Sequence, residues 1–356
     1  MATYDPPFPS TLVTERRDNN ESRNITECPD ISAATVIRVG DRELSLAEFL
    51  RYCAASIGGP DGGVDLRRAR DLFVRAGLDA IEAPTPAGWL QLGLSVPPGA
   101  GRAELYGRVA GLARTLLATG VLDNVFFMHK PPGLRLRLHL TDPADRGTTG
   151  EVRESVVAWQ REGLVDGVVP GVYEPESRLF GGPLSMGYVH RLFTVDSLAW
   201  LDYHTLAIRQ PGTGPAWALS LLMLRALLDA LEITGWEDLD VWDRIRVRTG
   251  RRLGAATALA EFGPVADEIR ACWRRPELLR GQLGPPGVAI ADAFRAAAVP
   301  LGTRWRDGYF ATEAAYLGPR QAAAFAAIFS WNRAGLPMLR QALLTEALAT
   351  READLT

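Results

Sequence analysis

Leu134-Arg-Leu-Arg-Leu-His-Leu140 alternates apolar and polar side chains without a break, and this period of two predicts a β-strand. Leu134, Leu136, Leu138 and Leu140 point one way, and Arg135, Arg137 and His139 point the other. Side chains two apart on a strand stand about 7 Å from each other, so two guanidiniums and an imidazole line one wall of whatever that face meets. Just upstream, Pro131-Pro-Gly133 is turn chemistry and Val121–His129 reads as a strand, which makes a hairpin. Trp89 to Val96 alternates as well, with Leu90, Leu92, Leu94 and Val96 on one side. A helix over 102–118 buries Leu105, Val109, Leu112 and Leu116, a second is predicted over 151–163, and Val168–Glu174 supplies another strand.

Tyr173-Glu-Pro-Glu-Ser-Arg-Leu-Phe-Gly-Gly182 gathers charge, a proline and a double glycine in ten residues. On an extended segment Glu174 and Glu176 share a face. They either pair with Arg135 and Arg137 in an ion network or crowd each other until one carboxyl becomes an acid. Gly181-Gly182 suits a turn that needs positive φ.

From about Leu184 onward the spacing is helical, over 184–206, 214–234, 238–248, 256–275, 286–299, 319–334 and 337–350. Sheet first and helices later predicts an α+β fold: a mainly antiparallel sheet with packed helices and a helix-rich C-terminal half. Residues 1–32 are polar and aperiodic and read as a flexible arm. Residues 33–86 read as a small unit of one strand and two helices, the first helix opened by a capping box at Ser45-Leu-Ala-Glu48. Residues 87–356 form the main domain.

The 356 residues are 47% apolar, enough for a sizeable core, and the net charge of −3 gives no sign of a nucleic-acid partner. Lys130 is the single lysine among 39 basic residues. Cys28, Cys53 and Cys272 are scattered and odd in number, which points away from a disulfide framework and towards a reducing cytoplasm. The longest apolar run, near Ala216–Leu231, is broken by Ser220, Arg225 and Asp229 and is too polar to span a bilayer. No CxxC, Walker A, GxSxG, HExxH or strand-borne GxGxxG is present, so neither a metal nor a cofactor is expected.

Other candidates lie in the helical half. His190, Asp196 and Ser197 fall in one helix, where Asp196 serves either as a structural acceptor or as a proton carrier. Trp305-Arg-Asp-Gly-Tyr309-Phe310 reads as an aromatic loop, followed by Tyr316, and aromatic loops often wall a pocket. Trp331-Asn332-Arg333 sits on an otherwise apolar helix, where a polar pair requires buried partners.

Taken in order, Trp89-Leu-Gln-Leu, Phe126-Phe127, Pro-Gly-Leu-Arg-Leu-Arg137, Tyr-Glu-Pro-Glu176 with Gly181-Gly182, Phe193-x-x-Asp-Ser197 and Asn332-Arg333 resemble the thiopeptide-type bacteriocin biosynthesis domain. That domain is the glutamate-elimination domain of class I lanthipeptide dehydratases, and it is also found as standalone pyridine synthases. The resemblance implies a cytoplasmic, cofactor-free enzyme acting on a modified precursor peptide, with a homodimer allowed. Elimination members carry a histidine where Gly133 stands, an arginine where Leu179 stands, and a histidine where Ile328 stands. Elimination needs a base and cationic groups for the departing glutamate, and glycine, leucine and isoleucine supply neither. On an extended segment, the one-residue displacement to Arg178 turns that side chain to the opposite face.

The resemblance therefore implies a [4+2] aza-cyclase that joins two dehydroalanines, then loses water and the leader peptide. A glutamate-elimination lyase and a non-catalytic leader-binding scaffold are the alternatives. A histidine and an arginine converging from elsewhere would overturn the choice. Under the cyclase reading Asp196 and Tyr309 carry the protons, supported by His190 and Ser197. Arg135, Arg137, Tyr173, Glu174, Arg178, Trp305, Tyr316, Trp331, Asn332 and Arg333 hold the peptide. Arginines within Arg244–Arg252 are further candidates for an acidic leader.

Overall fold

In a computed structural model, the alternation at Leu134–Leu140 forms the second strand of an antiparallel sheet with all four leucines buried. The structure describes residues 36–39, 42–55, 64, 66–71, 73–74, 88–97, 101–210, 212–253 and 262–350. The expected arm over 1–32 and the Gly58–Gly63 break lie outside these residues. The chain divides into two compact units, Met1–Arg75 and Ala76–Thr356.

In the first unit, β1 (Val36–Val39) and β2 (Arg42–Ser45) form an antiparallel hairpin that leads into α1 (Leu46–Ala55). One strand was expected there. Arg42-Glu-Leu-Ser escapes periodicity because only Leu44 in it is apolar. The capping box forms: Ser45 N–H donates to Glu48 Oε2 at 2.8 Å, and Glu48 N–H donates to Ser45 Oγ at 3.3 Å. Phe49, Cys53 and Leu66 make a small core.

The second unit holds β3 (Trp89–Ser95), α2 (Arg102–Ala118), β4 (Leu122–Lys130), β5 (Gly133–Leu140), α3 (Arg146–Arg161), β6 (Gly167–Gly171) and the single turn α4 (Ser177–Phe180). Then follow α5 (Pro183–Arg209), α6 (Ala216–Ala230), α7 (Glu237–Thr249), α8 (Gly263–Arg274), α9 (Pro276–Gly281), α10 (Pro285–Trp305), α11 (Pro319–Ala334) and α12 (Met338–Ala349). The strand order is β4-β5-β3-β6, antiparallel throughout, which confirms the expected α+β class. No described helix is long and apolar enough to cross a membrane.

Register places the polar side of β5 opposite specific neighbours. Arg137 lies between Gln91 and Phe126, Arg135 between Gly93 and Met128, and His139 between Trp89 and Asn124. The β4 edge does not stand open. Helix α5 runs along it, and two of its hydroxyls take the outward amides: Val125 N–H donates to Thr194 Oγ1 at 3.0 Å, and Phe127 N–H to Ser197 Oγ at 3.3 Å.

Three further sequence expectations are corrected. Trp305–Phe310 is not a loop: Trp305 ends α10, and Arg306–Phe310 continues it as a π-helical turn. Helix α3 starts five residues before the predicted Glu151, at Arg146, capped by Asp145, which accepts from Thr148 N–H at 3.0 Å. Its first turn, Arg-Gly-Thr-Thr-Gly, lacks an apolar spacing to reveal it. Residues 177–180 are a helical turn rather than extended chain, so the displacement from 179 to 178 turns a side chain by about 100°, not to the opposite face.

Candidate functional site

The polar face of β5 becomes a site because Arg137 cannot reach water. It is 4% exposed. Its Nε donates to Gln91 Oε1 at 2.8 Å, and Gln91 Nε2 donates onward to the Val172 carbonyl at 3.1 Å. The guanidinium lies over the rings of Tyr173, 4.5 Å from the centroid, and Phe126, at 5.2 Å. Burial lowers its proton affinity from the ordinary arginine value, and Glu176 opposes that shift. Glu176 Oε1 is 3.9 Å from Arg137 Nη1, too far for a hydrogen bond. Arg137 Nη1 and Glu176 Oε2 are both buried without a hydrogen-bond partner among the described residues. A donor and an acceptor are thus left open side by side.

A second layer surrounds this pair. Tyr173 Oη and His190 Nε2 are 2.8 Å apart. Trp89 packs on both rings, 4.6 Å from Tyr173 and 4.7 Å from His190. Burial, reinforced by His139, pushes His190 down to about 4, and burial, then Glu176, raises Tyr173. Both are neutral at pH 7. His139 Nδ1 is 2.6 Å from Asp123 Oδ1 at the outer edge. Tyr173, Arg137 and His190 therefore converge. Glu174 and Arg178 are exposed, and Glu176 is the carboxylate that faces Arg137.

Asp196 and Arg333 form a separate buried pair. Arg333 Nε donates to Asp196 Oδ2 at 2.5 Å, and Ser330 Oγ donates to Asp196 Oδ1 at 2.7 Å while accepting from Trp200 Nε1 at 3.0 Å. Arg333 also lies 4.4 Å over Phe193 and is 1% exposed. Both Asp196 oxygens are thus engaged by the fold. Ser197 is engaged on the β4 edge. Tyr309 is 1% exposed and donates to the Gly181 carbonyl at 2.7 Å, and Trp305 donates to Ser185 Oγ at 2.8 Å. Gly181 and Gly182 have φ of 95° and 91°, as the turn requires. Trp331 is buried on Trp242, while Tyr316, Arg135 and Asn332 are half-buried. Ile328 is buried and Leu179 half-buried, each packed in or against the core.

One constellation escaped the sequence reading. Tyr106, His129 and His204 come together on the other side of the sheet, where Tyr106 Oη is 2.8 Å from His129 Nε2 and stacks on His204 at 4.7 Å. They come from α2, β4 and α5, and no local motif links them.

The fold and this buried charged face define an α+β domain whose sheet carries its chemistry inward. A family model described as lantibiotic biosynthesis dehydratase C-term matches residues 89–350, and the chain belongs to that family. Membership supports a role in the biosynthesis of ribosomally made, modified peptides, as an enzyme or a scaffold. Among solved structures, the chain is similar to the tRNA-dependent lantibiotic dehydratase MibB from Microbispora sp. 107891, with a TM-score of 0.55 and 20% identity. That match covers 75% of this chain and 28% of the other, and at this identity it shows the fold alone. No curated protein matches.

Proposed function

We propose that this chain is a peptide macrocyclase of the pyridine-synthase kind, which joins two dehydroalanines in a formal [4+2] aza-cycloaddition. The observation that carries the reading is the open donor at Arg137 Nη1 beside the open acceptor at Glu176 Oε2. An amide held cis presents the complement, its carbonyl oxygen and N–H on the same side, whereas a trans amide points them apart. Glu176 takes the amide proton while Arg137 stabilises the charge that develops on oxygen, and the proton returns to that oxygen as the iminol. No atom is gained or lost in this isomerisation. The product is the electron-rich azadiene that a second alkene can meet. Holding the two alkenes face to face can lower the barrier by about 7–11 kcal/mol. Loss of water and of the leader amide needs further proton transfers, for which the neutral Tyr173–His190 pair lies alongside. Asp196, already engaged by Arg333, is assigned a positioning role.

A second reading, glutamate elimination, is favoured by one observation. His190 stands in the same cluster as Arg137, so a base and a cation are both at hand despite Leu179 and Ile328. This is half of the convergence that counts against the cyclase, since Arg137 is the strand motif's own arginine and not a replacement for position 179. Mass spectrometry separates the two. A linear azole- and dehydroalanine-bearing precursor is expected to yield a macrocycle plus free leader amide. Glutamate released from a glutamylated peptide, with no cyclisation of the dehydrated one, would replace the first reading with the second.

A further inference from the structure

A cavity of about 460 Å³ opens where α2 begins and α5 and α11 end, on the side of the sheet away from Arg137. Its volume falls in the range of small-ligand sites. Tyr106, His129 and His204 line it, and their hydrogen-bond roles are fixed by the backbone. His129 Nδ1 lies 3.0 Å from the Asn332 carbonyl, and His204 Nε2 lies 2.7 Å from the Arg333 carbonyl. A carbonyl oxygen only accepts, so each imidazole carries its hydrogen on that nitrogen. Burial lowers the proton affinity of both rings, that of His204 to about 4, so the other nitrogen of each keeps its lone pair at neutral pH. His129 Nε2 must then accept from the Tyr106 hydroxyl, which commits that hydrogen and leaves lone pairs on Tyr106 Oη. The three side chains therefore offer two open acceptors, Tyr106 Oη and His204 Nδ1, and no free donor.

Positive charge sits at the rim. Arg102 is exposed, is the only cation of the lining, and makes no ion pair among the described residues. It opens α2, whose first amides have no side-chain cap. Val96, Leu105, Leu134 and Ile208 make the rest of the wall apolar. A matching ligand carries an anion, a nearby N–H donor and an apolar group.

We infer that this cavity binds an α-carboxylate with its neighbouring N–H and an apolar side chain, as a peptide carboxy terminus or a free amino acid presents. The carboxylate pairs with Arg102, the N–H donates to Tyr106 Oη or His204 Nδ1, and the side chain lies on the apolar wall. Nothing in this inference depends on the Arg137 site.

The test uses the full chain, twenty N-acetylated tripeptides Ac-Ala-Ala-Xaa with free carboxylates, their carboxamide counterparts, and the free amino acids, screened by ligand-observed NMR and measured by calorimetry. Peptides ending in large apolar residues are expected to bind, with carboxamides weaker by about tenfold or more, as loss of a charge-assisted pair predicts. Arg102→Ala should weaken binding similarly, and Tyr106→Phe several-fold, with circular dichroism unchanged. Arg102 is exposed, so its removal leaves the fold intact. Competition by free leucine decides between the two sources of the carboxylate. Absence of binding by every peptide and amino acid, equal binding of carboxamides, or indifference to Arg102→Ala would overturn the inference.

Discussion

The buried Arg137 and the half-buried Glu176 are neighbours that do not close on each other. Their nearest charged atoms stand 3.9 Å apart, and one atom of each is unpartnered. An ion pair built for stability would close to about 2.8 Å, as charge-assisted bonds do. The unpartnered donor and acceptor are free to bind a group that offers one acceptor and one donor. Glu176→Gln keeps the shape and removes the base. We expect cyclisation to fall by about 10²-fold or more, the scale of a lost general base, with a shift in unfolding midpoint of only a few degrees. A variant that cyclises at the wild-type rate removes Glu176 from the mechanism.

The Asp196–Arg333 pair behaves in the opposite way. It is short, almost fully buried and completed by Ser330. Removing one partner leaves an uncompensated charge in the core. Asp196→Ala should therefore cost about 3–5 kcal/mol in denaturant unfolding, and Asp196→Leu combined with Arg333→Met should recover much of it. A loss below 1 kcal/mol in the single variant, with ring formation abolished, would return Asp196 to a proton-carrying role.

How much of this was legible in the sequence depends on whether a feature is local. The strand at Leu134–Leu140 was, because alternation is written in consecutive residues. The approach of Arg137 to the Tyr173–Glu176 segment was legible too, but the ion network expected of Arg135 and Arg137 with Glu174 and Glu176 does not form: only Glu176 nears Arg137, and it stops at 3.9 Å. The structure exposes Glu174 and turns Glu176 inward. The Asp196–Arg333 contact spans 137 positions, and nothing in either neighbourhood names its partner. The Tyr106–His129–His204 cluster was invisible for the same reason, since each residue looks ordinary in its own element. The π turn at Arg306–Phe310 was misread because its aromatic and glycine content is that of a loop, while its helicity comes from continuing α10.

Two half-buried histidines set a pH dependence of stability. His190 and His204 are each lowered from 6.5 to about 4, mainly by burial. Between pH 4 and 6.5 the unfolded chain binds protons that the folded chain does not, so stability rises with pH there and is complete above 6.5. On lowering the pH from 7.5 to 4.5 each ring withdraws about 2.5 kcal/mol, since one pKa unit corresponds to about 1.4 kcal/mol and the full shift is not yet reached at 4.5. Urea midpoints across this window should flatten in His190→Gln and again in the double variant with His204→Gln. An unchanged slope in both variants would show that carboxylates alone set the acid limit.

Tyr309 offers a clean separation of structure from chemistry. Its hydroxyl donates to the Gly181 carbonyl, and it can approach only because position 181 has no side chain: a Cβ there would fall 2.2 Å from Tyr309 Oη, at a φ of 95°. Gly181→Ala must therefore both strain the backbone and displace the ring. We expect a loss of about 2 kcal/mol or more, with about 1–3 kcal/mol attributable to the φ alone. Tyr309→Phe keeps the ring and leaves the Gly181 carbonyl without that donor, at a cost of about 1–3 kcal/mol. If the hydroxyl holds the Gly-Gly turn in place, ring formation should persist in Tyr309→Phe below its lowered melting temperature, with KM raised more than kcat is lowered. Abolished cyclisation in a variant as stable as the parent would instead make this hydroxyl a proton donor in the reaction.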